Sequence, residues 1–246
     1  MKKRILQILL GCLVVLVFAM HLLGKWEIGI VQQLEFIAYD ARVQLTTESG
    51  QDERIVIIDV DEKTLRELGQ WPWPRERLGL LVENLFDHYG ISVFGLDMVF
   101  AEHDQRSGKD RILERASTVT DAELREELVE LAESLDGDQK FADALAGHNV
   151  VMGYYFNTDE DLTHSVGTLP EPVFEDDGFM NLTLFAVEGT SYNANLNLLQ
   201  DNAAGAGFFS APLIDEDGIV RRVPLLHEFE GALYESLALA TARAHL

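Results

Sequence analysis

The sequence predicts an α/β fold: an N-terminal transmembrane helix, then a three-layer-like body on a mixed sheet, with a parallel βαβ core and a C-terminal antiparallel hairpin. Three observations carry this reading. Residues 5–23 are apolar and uncharged behind Lys2-Lys3-Arg4. Two β-branched runs, residues 54–60 and 91–100, flank an amphipathic helical stretch, the pattern of a βαβ unit. Two later apolar runs are split by Asp215-Glu216-Asp217-Gly218, as in a hairpin.

The first element sets the layout. Nineteen helical residues rise about 28 Å, close to the apolar thickness of a bilayer. The basic cluster stays on the cytoplasmic side. Residues 1–4 are then a cytoplasmic stub, 5–23 a transmembrane helix and 24–246 a body outside the cytoplasm. A cleaved signal peptide is the rival, but Ala19-Met20-His21 and Leu22-Leu23-Gly24 make poor cleavage sites. Leu9-Leu10-Gly11-Cys12 has the form of a lipoprotein box, yet the apolar run before it is short and continues past the cysteine, so Cys12 reads as a membrane-helix residue. As the lone cysteine it excludes an internal disulfide framework. The net charge of -23, from 42 acidic against 19 basic residues, repels phosphate backbones and excludes nucleic acid as a partner.

Beyond the membrane the helical spacing continues. From Trp26 onward, Ile30, Leu34, Ile37, Ala38, Ala41 and Leu45 share one face, which predicts a rod from residue 5 to about 45 that Gly24 and Gly29 weaken without ending. Residues 54–60 (RIVIIDV) read as a buried parallel strand. Pro74 opens a helix whose stripe is Leu78, Leu81, Val82, Leu85, Phe86 and Tyr89, with Gly90 as its C-cap. Residues 91–100 are the next strand. A charged insert covers about 102–137, with Asp121 as N-cap and Leu124, Leu128, Leu131 and Leu135 on one face of an exposed helix. A short helix over 139–146, a buried strand over 149–156 and an irregular loop over 157–179 follow. The hairpin pairs residues 206–214 with 219–229, and 234–246 reads as helix.

Two clusters invite a chemical reading. Asp59, Asp61 and Asp97 fall at the carboxyl ends of the two predicted strands, where α/β sheets bind ligands, and three carboxylates suit Mg²⁺ or Ca²⁺. They equally suit helix capping and pairing with Arg75, Arg221 or Arg222. Trp71 and Trp73, set between prolines beside Arg75, either stack on a ligand or plug the sheet end. The histidines show no metal-ligand spacing, and no Gly-rich phosphate loop, GxSxG elbow or cysteine nucleophile occurs. No catalytic residue is therefore assigned, and no cofactor beyond that Mg²⁺ or Ca²⁺ ion. Asp59-Val60-Asp61-Glu62-Lys63-Thr64 resembles the nucleophile loop of haloacid-dehalogenase-type phosphatases, although Thr64 stands five residues after Asp59 rather than four and no downstream set completes the site. A metal-dependent extracytoplasmic phosphohydrolase is the corresponding alternative.

Over residues 36–246 the chain resembles the second family of CHASE domains, the cyclase/histidine-kinase-associated sensory extracellular modules. The matching pieces are Tyr39-Asp40-Ala41-Arg42, residues 55–75, 94–100 and 141–154, the DGIVRRVPL segment at 217–225 and YESLALATARA at 234–244. The resemblance implies an extracytoplasmic sensory input domain in the bacterial inner membrane, its body on the periplasmic or extracellular side. It implies an output such as a class III adenylate or guanylate cyclase, a histidine kinase, a diguanylate cyclase or a serine/threonine kinase, and function as a homodimer. The end at Leu246 suits a chain cut before a further membrane segment. On this reading Asp59, Asp61, Trp71, Trp73, Arg75 and Asp97 are candidates to hold a small molecule or ion. A scaffold that senses a protein partner or mechanical load is the remaining alternative.

Overall fold

The computed structural model describes residues 2–23, 25, 28–47, 50, 52–159, 162–175, 187–210 and 214–246. The chain divides into two units, the first ending at Val60 and the second starting at Asp61.

In the first unit, α1 (Lys2–Leu22) and α2 (Gly29–Thr46) are separate helices. The predicted continuous rod is thus two pieces. Leu23 and Lys25 close α1 with bonds to the carbonyls of Ala19 and Met20, and the Ile28 N–H donates to His21 Nδ1. Glycine at the start of α2 costs helix propensity where no packing compensates. Trp26 and Gly24 lie outside the described residues. None of the residues of α2 is buried. Residues 55–60 are not the predicted buried strand: Ile55, Val56 and Ile57 are 73%, 78% and 88% exposed and pair in no ladder among the described residues. β-branched composition favours an extended backbone, but a strand exists only where a partner completes its hydrogen bonds.

The second unit is built around β2 (Val150–Asn157), whose first five residues and Phe156 are all buried. It pairs in parallel with β1 (Phe94–Leu96) and β6 (Gly205–Phe208), and antiparallel with β5 (Ser191–Asn193). Being buried on both faces explains why the run VVMGYYF is almost continuously apolar. The parallel crossover therefore runs from β1 to β2, not from 54–60 to 91–100. Between them lie α5 (Lys109–Thr118), α6 (Ala122–Ser134) and α7 (Gly137–Leu145). Asp121 and Asp136 cap α6 and α7 through their side chains, and α5, which the sequence reading missed, packs on α6.

Before β1, α3 (Glu62–Leu68) and α4 (Arg75–Glu83) are followed by a π-helical turn over Asn84–His88. Of the predicted stripe, Leu78, Val82 and Leu85 are buried, Leu81 and Phe86 are half-buried and Tyr89 is exposed; α4 packs on α7. Gly90 ends the stretch at φ +65°, with its N–H on the Phe86 carbonyl, a conformation glycine adopts without strain.

A second mixed sheet runs β3-β8-β7-β4, with β3 (Phe174–Glu175), β4 (Val187–Glu188), β7 (Leu226–Phe229) and β8 (Ala232–Glu235). The C-terminal hairpin is thus β7–β8, turning at Glu230-Gly231, and not the predicted pairing of 206–214 with 219–229. β6 instead completes the first sheet. The Asp215–Gly218 turn forms, with Gly218 N–H on the Asp215 carbonyl, and Arg221 pins it by hydrogen bonds to Asp215 and Asp217. Residues 211–213 of the predicted strand lie outside the described set. α8 (Asn197–Asn202) precedes β6, and α9 (Leu237–His245) starts at the Ser236 N-cap. Residues 234–236 are therefore strand end and cap rather than helix. A β-carbon on Gly207 would fall 2.5 Å from Leu237 Cα, so glycine there permits α9 to pack directly on β6.

The sheets share an aromatic core around Phe156, whose ring stacks on His227 at 4.4 Å and on Phe229 at 5.6 Å. His227 is fully buried and its Nε2 has no hydrogen-bond partner among the described residues. Burial pushes its pKa below the ordinary 6.5, opposed by the Glu228 carbonyl at Nδ1. The unfolded chain therefore takes up this proton first, and the stabilisation it reports is lost as pH falls through the unfolded value. The unfolding free energy of wild type relative to His227→Phe should hold steady above pH 7 and fall below about pH 6.5, by at most about 1.4 kcal/mol per pH unit. Urea titrations of both proteins between pH 5 and 8 measure it; parallel curves would refute it.

Candidate functional site

The Trp-Pro-Trp-Pro-Arg turn feeds directly into α4, and the Trp71–Pro72 peptide is cis. Trp73 is buried; its Nε1–H donates to the Gly69 carbonyl at 2.9 Å and its ring meets Trp71 edge-on at 5.6 Å. Arg77 lies over the Trp73 ring and donates to the Leu68 carbonyl. Trp71 stays 38% exposed. The pair sits just before the start of α4.

Arg75, the first residue of α4, is buried. Its guanidinium lies 4.3 Å from the centroid of Phe100, donates to the Glu102 carbonyl at 2.9 Å and stands 3.5 Å from the buried Asp138 carboxylate. Its backbone N–H donates to Asp104 Oδ2 at 2.9 Å, so Asp104 caps α4 from a distant segment. Asp138 in turn accepts the Asp104 N–H, and His103 Nδ1 lies 2.9 Å from its Oδ2. Desolvation lowers the Arg75 pKa, offset by Asp138 and Asp104. A β-carbon on Gly137 would collide with Asp104 Oδ2, so this knot has no spare volume. Most of its groups satisfy one another, but Arg75 Nε, 3.5 Å from Asp138 Oδ1, makes no hydrogen bond among the described residues.

The three aspartates do different things. Asp61 caps α3, accepting the Thr64 N–H and Oγ1–H at 2.8 and 2.7 Å. Those bonds lower its pKa. Asp97 is exposed just after β1, and Asp59 is exposed in the first unit. Among the described residues no group of three or more His, Cys, Asp or Glu side chains is placed to hold a metal ion. The arginines named as possible partners pair elsewhere: Arg75 with Asp138, and Arg221 and Arg222 with Asp215.

A cavity of about 410 Å³ lies where β2, β6, β8, the end of α8, α9 and the 168–173 segment meet. Its walls include Tyr154, Gln200, Asp201, Tyr234, Glu235 and Arg243. Tyr154 is fully buried, and its hydroxyl has no hydrogen-bond partner among the described residues; nor has Gln200 Oε1. Burial, then Tyr234 and Glu235, push the Tyr154 pKa up, so its hydroxyl feels both neighbours without donating to either. Glu235, 4% exposed, accepts Arg243 Nε at 3.0 and 3.2 Å and also Arg243 Nη2, which raises the Arg243 pKa. Sequence reasoning missed this site. The one available signal was a pair of tyrosines, Tyr154 and Tyr155, inside a largely apolar buried strand; Glu235 ends β8 and Arg243 lies in α9, with Ser236 between strand and helix.

A family model described as the CHASE2 domain matches residues 12–246. No curated protein and no solved structure matches.

Removing the Arg75 charge strands a buried carboxylate. Arg75→Met should destabilise the chain by about 3–5 kcal/mol, with part recovered in Arg75→Met/Asp138→Asn. Urea unfolding measures both, and a loss under about 1 kcal/mol in the single variant would disprove the knot.

Proposed function

The chain belongs to the CHASE2 domain family, a family of extracellular sensory domains rather than catalysts, and from that premise we propose that it is the extracytoplasmic input domain of a bacterial inner-membrane receptor. Its output is a class III adenylate or guanylate cyclase, and it works as a homodimer. The supporting observation is that α1 carries an apolar stretch, Lys3–His21, long enough to span a bilayer and with none of its described residues buried. Leu6, Ile8, Leu9 and Leu10 are each more than 60% exposed. Water does not tolerate such a surface; lipid does. Lys2, Lys3 and Arg4 hold the preceding end in the cytoplasm.

The dimer reading has its own support. On α2, Ile30, Leu34 and Ile37 are 73%, 60% and 64% exposed. Their four- and three-residue spacing is that of a coiled-coil seam, and a second copy of α2 covers it symmetrically. A stimulus on the body then changes how two α2 helices meet outside the membrane.

Alkaline phosphatase fused after Leu246 should be active in cells and green fluorescent protein at the same point dark; the opposite pattern would place the body in the cytoplasm and end this reading. In a Cys12→Ser background, Leu34→Cys should form disulfide-linked dimers in oxidised membranes several-fold faster than Gln33→Cys. Equal rates would remove α2 as the dimer seam.

A further inference from the structure

We propose that the cavity bounded by Tyr154, Gln200, Glu235 and Arg243 is the sensory pocket and that it takes a small organic cation bearing a primary ammonium group. The inference rests on the input-domain reading and adds to it the place and the chemistry of the stimulus.

The charge of the walls selects the ligand. Glu171, Asp201 and Glu235 set three carboxylates against the single guanidinium of Arg243, so an anion entering meets net repulsion. The hydrogen-bonding inventory points the same way. Gln200 Oε1 is an acceptor with no donor, and the Glu235 carboxylate already shares its oxygens with Arg243. Acceptors in surplus call for N–H donors, and an ammonium carries three with a positive charge. The Tyr154 hydroxyl, buried and unpartnered, is a group that folding leaves unsatisfied at a cost. Tyr154, Tyr234 and Glu235 line the same cavity. The volume, about 410 Å³, lies at the lower end of small-molecule sites.

The pocket is also wired to the end of the fold. Glu235 directly precedes the Ser236 cap of α9, and Arg243 sits in its last turn. An ammonium competing for Glu235 weakens the Arg243 tie that holds the distal half of α9 to β8. Ligand occupancy is thereby converted into a change at the C-terminal helix.

The test uses the full chain purified in detergent, with 1,4-diaminobutane as probe and 1,4-butanediol and calcium chloride as the uncharged and inorganic controls. The diamine at millimolar concentration should raise the melting temperature by several degrees, with neither control doing so. Tyr154→Phe removes only the unpartnered hydroxyl; it should fold with wild-type stability or better and bind the diamine about tenfold more weakly. Glu235→Gln should abolish the shift. No shift with the diamine, an equal shift with the diol or with calcium, or an unchanged affinity in Tyr154→Phe would each overturn the proposal. Failure here with alkaline phosphatase active after Leu246 leaves the input-domain reading standing. Diamine binding with the body found in the cytoplasm ends that reading and keeps the pocket.

Discussion

The body depends on β2 having its backbone satisfied on both edges while its side chains are buried on both faces. An unpaired peptide group at that depth costs as much as a lost hydrogen bond, so each neighbour is obligatory. β1 and β6 supply the parallel ladders and β5 takes over at the far end. Where the ladder runs out a side chain substitutes: the fully buried Asn195 donates to the Gly153 carbonyl at 3.0 Å and accepts the Phe100 N–H at 2.9 Å. One amide thereby joins the chain after β1, the centre of β2 and the segment that follows β5. At Gly153 a β-carbon would lie 2.6 Å from the Leu96 carbonyl, so no side chain fits between the first two strands.

Some of this was legible in the sequence. The buried stripe of α4, the Asp121 cap, the helix before β2 and β2 itself were readable, because each is set by local periodicity or by a cap within a few residues. What was not readable depended on distant partners. Residues 55–58 have the composition of a strand, but pairing decides whether one exists. The hairpin was placed one strand early because the Asp215–Gly218 turn is genuine, whereas the register of β7 is fixed by β8 and β4. Ser236 ends a strand and starts a helix at once, and a helix read straight through it hid Glu235. Site residues followed the same rule. Trp73 and Arg75 stood out by composition, and in the fold Trp73 is buried and Arg75 faces Asp138, while Tyr154 and Gln200 were inconspicuous until the fold gave them a shared cavity.

The two clusters of the body differ in how completely they are satisfied. Around Arg75 one buried donor, Nε, lacks a hydrogen bond while its neighbours are paired, and the volume is full. Around Tyr154 the polar atoms outnumber their partners and space remains.

The same Arg75 region has a topological consequence. Asp104 and Asp138 meet beside Arg75, and Lys109 pairs with Asp136 immediately alongside. Together these ties pinch the polypeptide shut at the root of α5 and α6. Everything outward of that neck is an appendage sealed at its base. Because the entropy of closing a loop grows only logarithmically with its length, such an appendage can lengthen, shorten or be rebuilt over evolutionary time with little disturbance to the strands beneath.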